Sequence, residues 1–244
     1  MRAFQESLEL MTEPPYLLQL FPLLRQIAKA RLFYKKHHNS FVQLNKLVAL
    51  AVPMEDLTVM QLLAEYQRIE NNIQAQAMKL ARRKVLNLTF DEGFALYLIT
   101  RAFRPGTILE TGVANGLSTR IILEAIVMNR RGILVSTEIE KEVGPLVPDS
   151  LRMHWQLHVG KPSSVLTETL EEVGQVDLFL HDSDHSYENM LFEFRKAYHR
   201  MSRHGLMVSD DVDTNPAFIE FAASIGRQPL FVYGFRKILG IVRL

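Results

Sequence analysis

Over residues 1–88 apolar side chains recur at helical intervals, broken at Pro14-Pro15 and Pro53, and no stretch alternates as a half-buried strand would. The last long helix of this region is expected to start after Leu57 with Thr58 as N-cap. It would run through Tyr66, Ile69, Ile73 and Met78 toward Arg82, Arg83 and Lys84. Thr89 with Glu92 three residues on forms a capping box for a second helix carrying Phe94, Leu98 and Phe103, and Pro105-Gly106 stops it. Short apolar runs then alternate with helical patterns: strands at Thr107–Glu110, Gly132–Glu138, His154–Val159, Val176–His181 and Gly205–Ser209, with a helix over Ser118–Asn129. Such alternation predicts an α/β fold with a parallel sheet, whose ligand groups gather beyond the carboxyl ends of the strands. The tail, Gln228–Tyr233 and Ile238–Arg243 around Gly234, reads as a β-hairpin.

The first strand of this region runs into Glu-Thr-Gly-Val-Ala-Asn-Gly-Leu-Ser at 110–118. Gly112 and Gly116 permit positive φ and close approach of backbone to a ligand, and Ser118 brings a hydroxyl to the first amides of the next helix. The spacing is not the G-x-G-x-x-G of dinucleotide binders, and Glu110 stands where a pyrophosphate would need to sit. The turn therefore suits an amino-bearing cofactor better than a dinucleotide. A dinucleotide-binding oxidoreductase is the runner-up class, and a non-catalytic nucleotide-binding protein the third.

Composition narrows the partners. Twenty-eight Lys plus Arg against 27 Asp plus Glu leave a net charge of +1, so no global field favours nucleic acid, and a small molecule is the expected substrate. With no cysteine, a metal site must use oxygen or histidine ligands. No apolar stretch reaches the ~18 residues of a membrane span, and Glu6, Glu9 and Glu13 stand where a secretory leader would be apolar, so a soluble, cytoplasmic protein is expected. Within Tyr16–His38, leucines lead into Arg25, Lys29, Arg31, Lys35 and Lys36. A helix of this kind packs its apolar side on the domain or on a second subunit, which is the favoured reading, or lies on a membrane surface.

Four segments in order, ILETGVANGLST at 108–119, STEIE at 136–140, VDLFLHDSDHSYENM at 176–190 and GLMVSDDV at 205–212, resemble the class I S-adenosylmethionine (SAM) dependent methyltransferases. The closer resemblance is to bacterial small-molecule O-methyltransferases of the macrocin O-methyltransferase and cephalosporin hydroxylase-like type, and it covers about residues 90–244. It implies a Rossmann-like, doubly wound, mostly parallel seven-stranded sheet with an antiparallel last strand. Residues 89–244 would form this domain, with 1–88 as a helical cap or oligomerisation region.

The resemblance also implies roles. Glu110 matches the acid that reaches the cofactor's amino group or nearby water, Gly112, Ala114 and Gly116 pass backbone beneath its methionine moiety, and Ser118 meets its carboxylate. Glu138 is placed for the ribose hydroxyls, with Glu140 the weaker candidate, and Gly160 and Ser163 lie on the adenine side, where Lys161 departs from the small or acidic residue usual there. Asp182, Asp210 and Asp211 match positions that hold a divalent cation, for which three hard carboxylates suit Mg²⁺. Asp182 also borders the cofactor, and His185 is the favoured general base, with His181 its competitor. The residues also admit a plainer reading, in which Asp182 and Asp184 cap a helix from Ser186. Asp210 and Asp211 would repel each other unless something positive lies near. The acceptor, expected to be a sugar or phenol hydroxyl of a secondary metabolite, has no signature in the chain.

Overall fold

A computed structural model describes residues 16–41, 47, 59–79, 88–234 and 236–244. Thr58 and the basic cluster Arg82–Lys84 lie outside these residues. Among the described residues, the helices α1 (Tyr16–His37) and α2 (Val59–Lys79) precede the α/β region. There follow α3 (Phe90–Phe103), β1 (Thr107–Thr111), α4 (Leu117–Asn129), β2 (Ile133–Glu138), β3 (Trp155–Val159), α5 (Pro162–Val173) and β4 (Val176–His181). The chain ends with α6 (Tyr187–Tyr198), β5 (Met201–Ser209), α7 (Ala217–Ser224), β6 (Leu230–Tyr233) and β7 (Ile238–Arg243).

The seven strands form one sheet in the order β3-β2-β1-β4-β5-β7-β6. The pairs β1–β2, β1–β4, β2–β3 and β4–β5 are parallel, while β7 runs antiparallel to both β5 and β6. This is the Rossmann-like sheet with an antiparallel last strand that the sequence leads one to expect. The hairpin places β7 between β5 and β6, so residues from its turn reach the end of β5.

The period of two along each strand divides the core between the two faces of the sheet. Ile108, Leu134, Leu178 and Leu206 join one cluster with α3, α4 and α2. Their neighbours Leu109, Val135, Phe179 and Met207 join the other with α5, α6 and α7. Helix α3 begins with the expected capping box, in which Thr89 accepts from the Glu92 amide and Glu92 from the Thr89 amide. Tyr66 and Ile73 of α2 are buried, but Met78 lies on the outer face at 70% exposure, so the apolar stripe ends before it.

Helix α1 packs on the domain through Ala30 and Phe33, the latter in an edge contact with Phe231 of β6 at 4.9 Å between ring centroids. That agrees with the domain-packing reading of the basic segment. No helix among the described residues is long and apolar enough to cross a membrane.

Candidate functional site

The strand order reverses between β1 and β4, and a parallel sheet opens a crevice at such a point beyond the carboxyl ends of its strands. A cleft of about 300 Å³ lies there. Its floor is Thr111 to Ala114, one wall is Thr137 to Ile139 with Pro162 and Val165, and the other is Asp182 to Asp184 with Asn189 and Glu193. Four carboxylates line it, those of Glu138, Asp182, Asp184 and Glu193, and among the described residues no lysine or arginine does.

The turn from β1 into α4 carries positive φ at Gly112 (82°), Ala114 (45°) and Gly116 (79°). The close approaches these glycines permit are to the protein's own backbone. A Cβ on Gly112 would run into the Asp182 carbonyl, and one on Gly116 would meet Gly144 Cα at 2.8 Å. The glycines thus press the turn against the end of β4 and against the segment after β2, which holds it by bonds from Gly144 N to Ala114 O and Leu146 N to Asn115 O.

Glu110 points away from the cleft. Its parity on β1 is that of Ile108, so its fully buried side chain lies beneath the start of α4. There it accepts hydrogen bonds from Ser118 Oγ (2.7 Å), Thr119 Oγ1 (2.8 Å) and Ser136 Oγ (2.7 Å). Burial pushes its pKa up to about 7 against the pull of those hydroxyls. This corrects the expectation that Glu110 and Ser118 face the cofactor directly: Ser118 is itself buried and its hydroxyl is committed to Glu110.

Glu138 does line the cleft, and its Oε2 accepts from the amides of Val113 (2.9 Å) and Ala114 (3.0 Å). Burial would raise its pKa, but the backbone amides of Ala114, Val113, Ile139 and Glu140 outweigh this and hold it below the ordinary range. Gly160, at the end of β3, donates its amide to Glu138 O and packs on Val165, while Pro162 and Val165 supply the surface on that side. The side chain of Ser163 lies outside the described residues.

The ends of β4 and β5 bring Asp182, His185 and Asp210 together, with one ligating atom of each within 4.8 Å of the others. Asp210 is buried at 1% exposure, and neither its Oδ1 nor His185 Nε2 has a hydrogen-bond partner among the described residues. Asp211, expected as the third carboxylate, does not complete this group. It adopts φ of 51°, and its Oδ2 turns to Lys237 Nζ at 2.8 Å, while Nζ also meets Asp210 Oδ2 at 2.7 Å. Asp211 Oδ2 stands 4.0 Å from His185 Nε2.

Electrostatics in this corner follow from burial among like charges. Burial and then the charge of Asp210 raise Asp182 well above its ordinary pKa and raise Asp211 as well. The same two causes push Glu92 up to about 8, and burial with the charge of Asp211 pushes Asp213 up to about 6. Burial lowers the pKa of His185. Burial alone would lower Lys237, but the charges of Asp210, Asp211 and Glu92 hold it well above the ordinary lysine value.

Lys237, Glu193 and Asn189 escaped the sequence reading. The adjacent acids at 210 and 211 signalled that a cation must lie near, but its place on the far side of the hairpin turn carried no motif. Glu193 comes from the inner face of α6, at 3% exposure, and binds His181 Nδ1 (2.7 Å), Ser183 Oγ (2.8 Å) and the Thr111 hydroxyl. His181, the competitor base, is fully buried in this network. The helix-capping reading is corrected in its residues: Ser186 itself caps α6 by accepting from Asn189 N, and Asp184 accepts from the amide and hydroxyl of Ser186.

Residues 109–212 match the model of a family described as a methyltransferase domain. No curated protein matches. Among solved structures, the chain is similar to the O-methyltransferase from Bacillus cereus in complex with SAH, at a TM-score of 0.58 and 16% identity over 71% of this chain and 91% of that one. It is also similar to the O-methyltransferase TomG from Streptomyces achromogenes, involved in tomaymycin synthesis and solved with SAM, at a TM-score of 0.55 and 18% identity over 70% and 89%. A third is MycE, the methyltransferase from the mycinamycin biosynthetic pathway solved with Mg, SAH and mycinamycin VI, at a TM-score of 0.51 and 14% identity over 70% and 54%. At these identities the likeness is one of fold.

Proposed function

We propose that the protein is a SAM-dependent O-methyltransferase acting on a small-molecule hydroxyl. The observation that carries this reading is the charge of the cleft. Four carboxylates and no described basic side chain line the switch point of the sheet. A sulfonium and an ammonium suit such a surface, whereas the pyrophosphate of a dinucleotide would meet like charge and gain nothing from the turn. The match of residues 109–212 to a methyltransferase domain agrees with it.

In this reading the Gly112 to Ala114 backbone and Asp182 border the methionine moiety, and Glu138 receives the ribose hydroxyls on the wall it already forms. Glu110 and Ser118 act one layer below, bracing the turn from beneath, and Gly116 keeps it against Gly144. The Gly160 to Ser163 turn, through Pro162 and Val165, would lie against the adenine. SAM supplies an electrophilic methyl group, so the protein's task is to align an oxygen with it and remove that oxygen's proton. His185 is placed for the proton: burial favours its neutral form, and Nε2 has no hydrogen-bond partner among the described residues.

The donor set also fits a divalent cation. Buried Asp210 keeps one oxygen without a partner and Asp182 stands beside it, so these two would hold Mg²⁺ next to His185. Such an ion lowers the pKa of a bound hydroxyl and orients it. The neighbours from the tomaymycin and mycinamycin pathways support a secondary metabolite as the acceptor, and the proposed acceptor group is a sugar or phenol hydroxyl. Residues 1–88 would form a helical cap, with a homo-oligomer as one use of it.

Titration calorimetry with SAM and with NAD tests the assignment. SAM is expected to bind and NAD to give no heat of binding. Binding of NAD without SAM would overturn the proposal in favour of the oxidoreductase reading.

A further inference from the structure

Lys237 stands on the turn into β7, buried at 9% exposure, with its ammonium 2.7 Å from Asp210 Oδ2 and 2.8 Å from Asp211 Oδ2. It bridges the two acids that, from the sequence, were expected to share a metal. Its two contacts divide the pair unequally. Asp211 gives Lys237 the oxygen nearest His185, whereas Asp210 gives Oδ2 and keeps Oδ1 buried and without a hydrogen-bond partner. An ammonium is a compact point charge, and a divalent ion binding all three acids would have to displace it or sit within a few ångströms of it. The repulsion between the two cations is large at such range in a partly buried site.

We propose that Lys237 is a tethered monovalent cation that withdraws Asp211 from the acid cluster and competes with a divalent ion there. The ion then meets Asp182 and the free oxygen of Asp210, and Asp211 is not a ligand. Lys237 also supplies permanent compensation, without which Asp182, Asp210, Asp211 and the nearby Glu92 and Asp213 would stand uncompensated when no ion is bound. The inference rests on the reading of the cluster as a cation site and goes beyond it by assigning opposite tasks to two adjacent aspartates.

The test is calorimetric titration of Mn²⁺ and Mg²⁺ into the full-length protein after chelator treatment, with SAM titrated in parallel. Lys237→Met is expected to bind Mn²⁺ at least about ten-fold tighter than wild type, and Lys237→Arg to stay near wild type. Asp211→Asn is expected to change Mn²⁺ affinity by less than about three-fold in the wild-type background. The same substitution should cancel most of the gain in the Lys237→Met background, where Asp211 is released to the ion.

An unchanged or weaker affinity in Lys237→Met would overturn the proposal, as would a ten-fold loss in Asp211→Asn alone. Asp211→Asn keeps the question answerable if Lys237→Met does not fold. Absence of ion binding in every variant would also overturn it, and SAM binding in the same samples would show that the methyltransferase reading stands independently.

Discussion

Glu110 shows how a single residue can be found in a sequence while its task stays hidden. The apolar strand ending in an acid before a glycine turn marked it, but the strand's parity sends the carboxylate beneath α4 toward three hydroxyls. Its pKa of about 7 against an ordinary 4.5 has a stability consequence. The folded state holds this proton more tightly than the unfolded chain, so the contribution to stability is complete below pH 4.5 and is lost as pH rises toward 7. Glu110→Gln keeps the shape, and the hydroxyls can turn to accept from the carboxamide. The variant should therefore lose this segment of the pH dependence. Relative to it, wild type should lose on the order of 3 kcal/mol between about pH 4 and about pH 8, read from chemical denaturation at each pH. Parallel profiles would mean that another group titrates. Lys237 lies at the other extreme of legibility. It is 27 residues from Asp210 in the chain, and only the folding of β7 against β5 brings the two together.

At the level of elements, periodicity located most of the strands because each is short, apolar and bounded by turn residues. Val176–His181 emerges with its expected bounds, since Gly174 precedes it and an acid follows. By contrast β5 starts at Met201, four residues before the expected Gly205. The exposed Arg203 and His204 disguise that part of the strand, which the pairing of Met201 with Val176 recruits. The glycine turn was legible as a turn, yet the partner of its close approach was not, because Asp182 arrives from a strand remote in sequence. That geometry makes Gly112→Ala a sharp test of the element. Its Cβ would meet the Asp182 carbonyl at a backbone φ of 82°, where neither side can yield cheaply. The substitution should cost more than about 2 kcal/mol of stability and weaken SAM at least about ten-fold, since it moves the turn and the end of β4 together. Wild-type SAM affinity in a folded Gly112→Ala protein would show that the cofactor lies elsewhere.

For the whole molecule, alternation of strand and helix was enough to give the sheet, and the tail hairpin its antiparallel end, because both depend on local period. The polar part of the attachment of α2 was not legible, since it depends on single side chains paired across the domain. One set joins Glu65 of α2 to Arg101 and Tyr97 of α3, and another centres on Arg120 of α4, buried at 2% exposure. Its guanidinium reaches Asn72 Oδ1 (2.9 Å) and Gln76 Oε1 (2.6 Å) on α2 and the carbonyl of Leu146 (3.2 Å). Gln76 in turn donates to Pro145 O, and the segment holding Pro145 and Leu146 bonds to the glycine turn at Ala114 and Asn115. A continuous path of hydrogen bonds therefore runs from α2 through Arg120 to the floor of the cleft. Arg120→Met keeps most of the apolar stem but leaves Asn72, Gln76 and the Leu146 carbonyl without their donor, at a cost of about 3 kcal/mol. If α2 is held by this path, the variant should be cleaved faster within residues 59–79 in limited proteolysis and should bind SAM about three- to ten-fold more weakly. Its circular dichroism should stay close to wild type. Unchanged cleavage together with unchanged SAM affinity would mean that the Glu65 bonds to Arg101 and Tyr97 and the apolar contacts of Leu62, Tyr66 and Ile73 hold α2 without Arg120, and that α2 and the cleft are energetically separate.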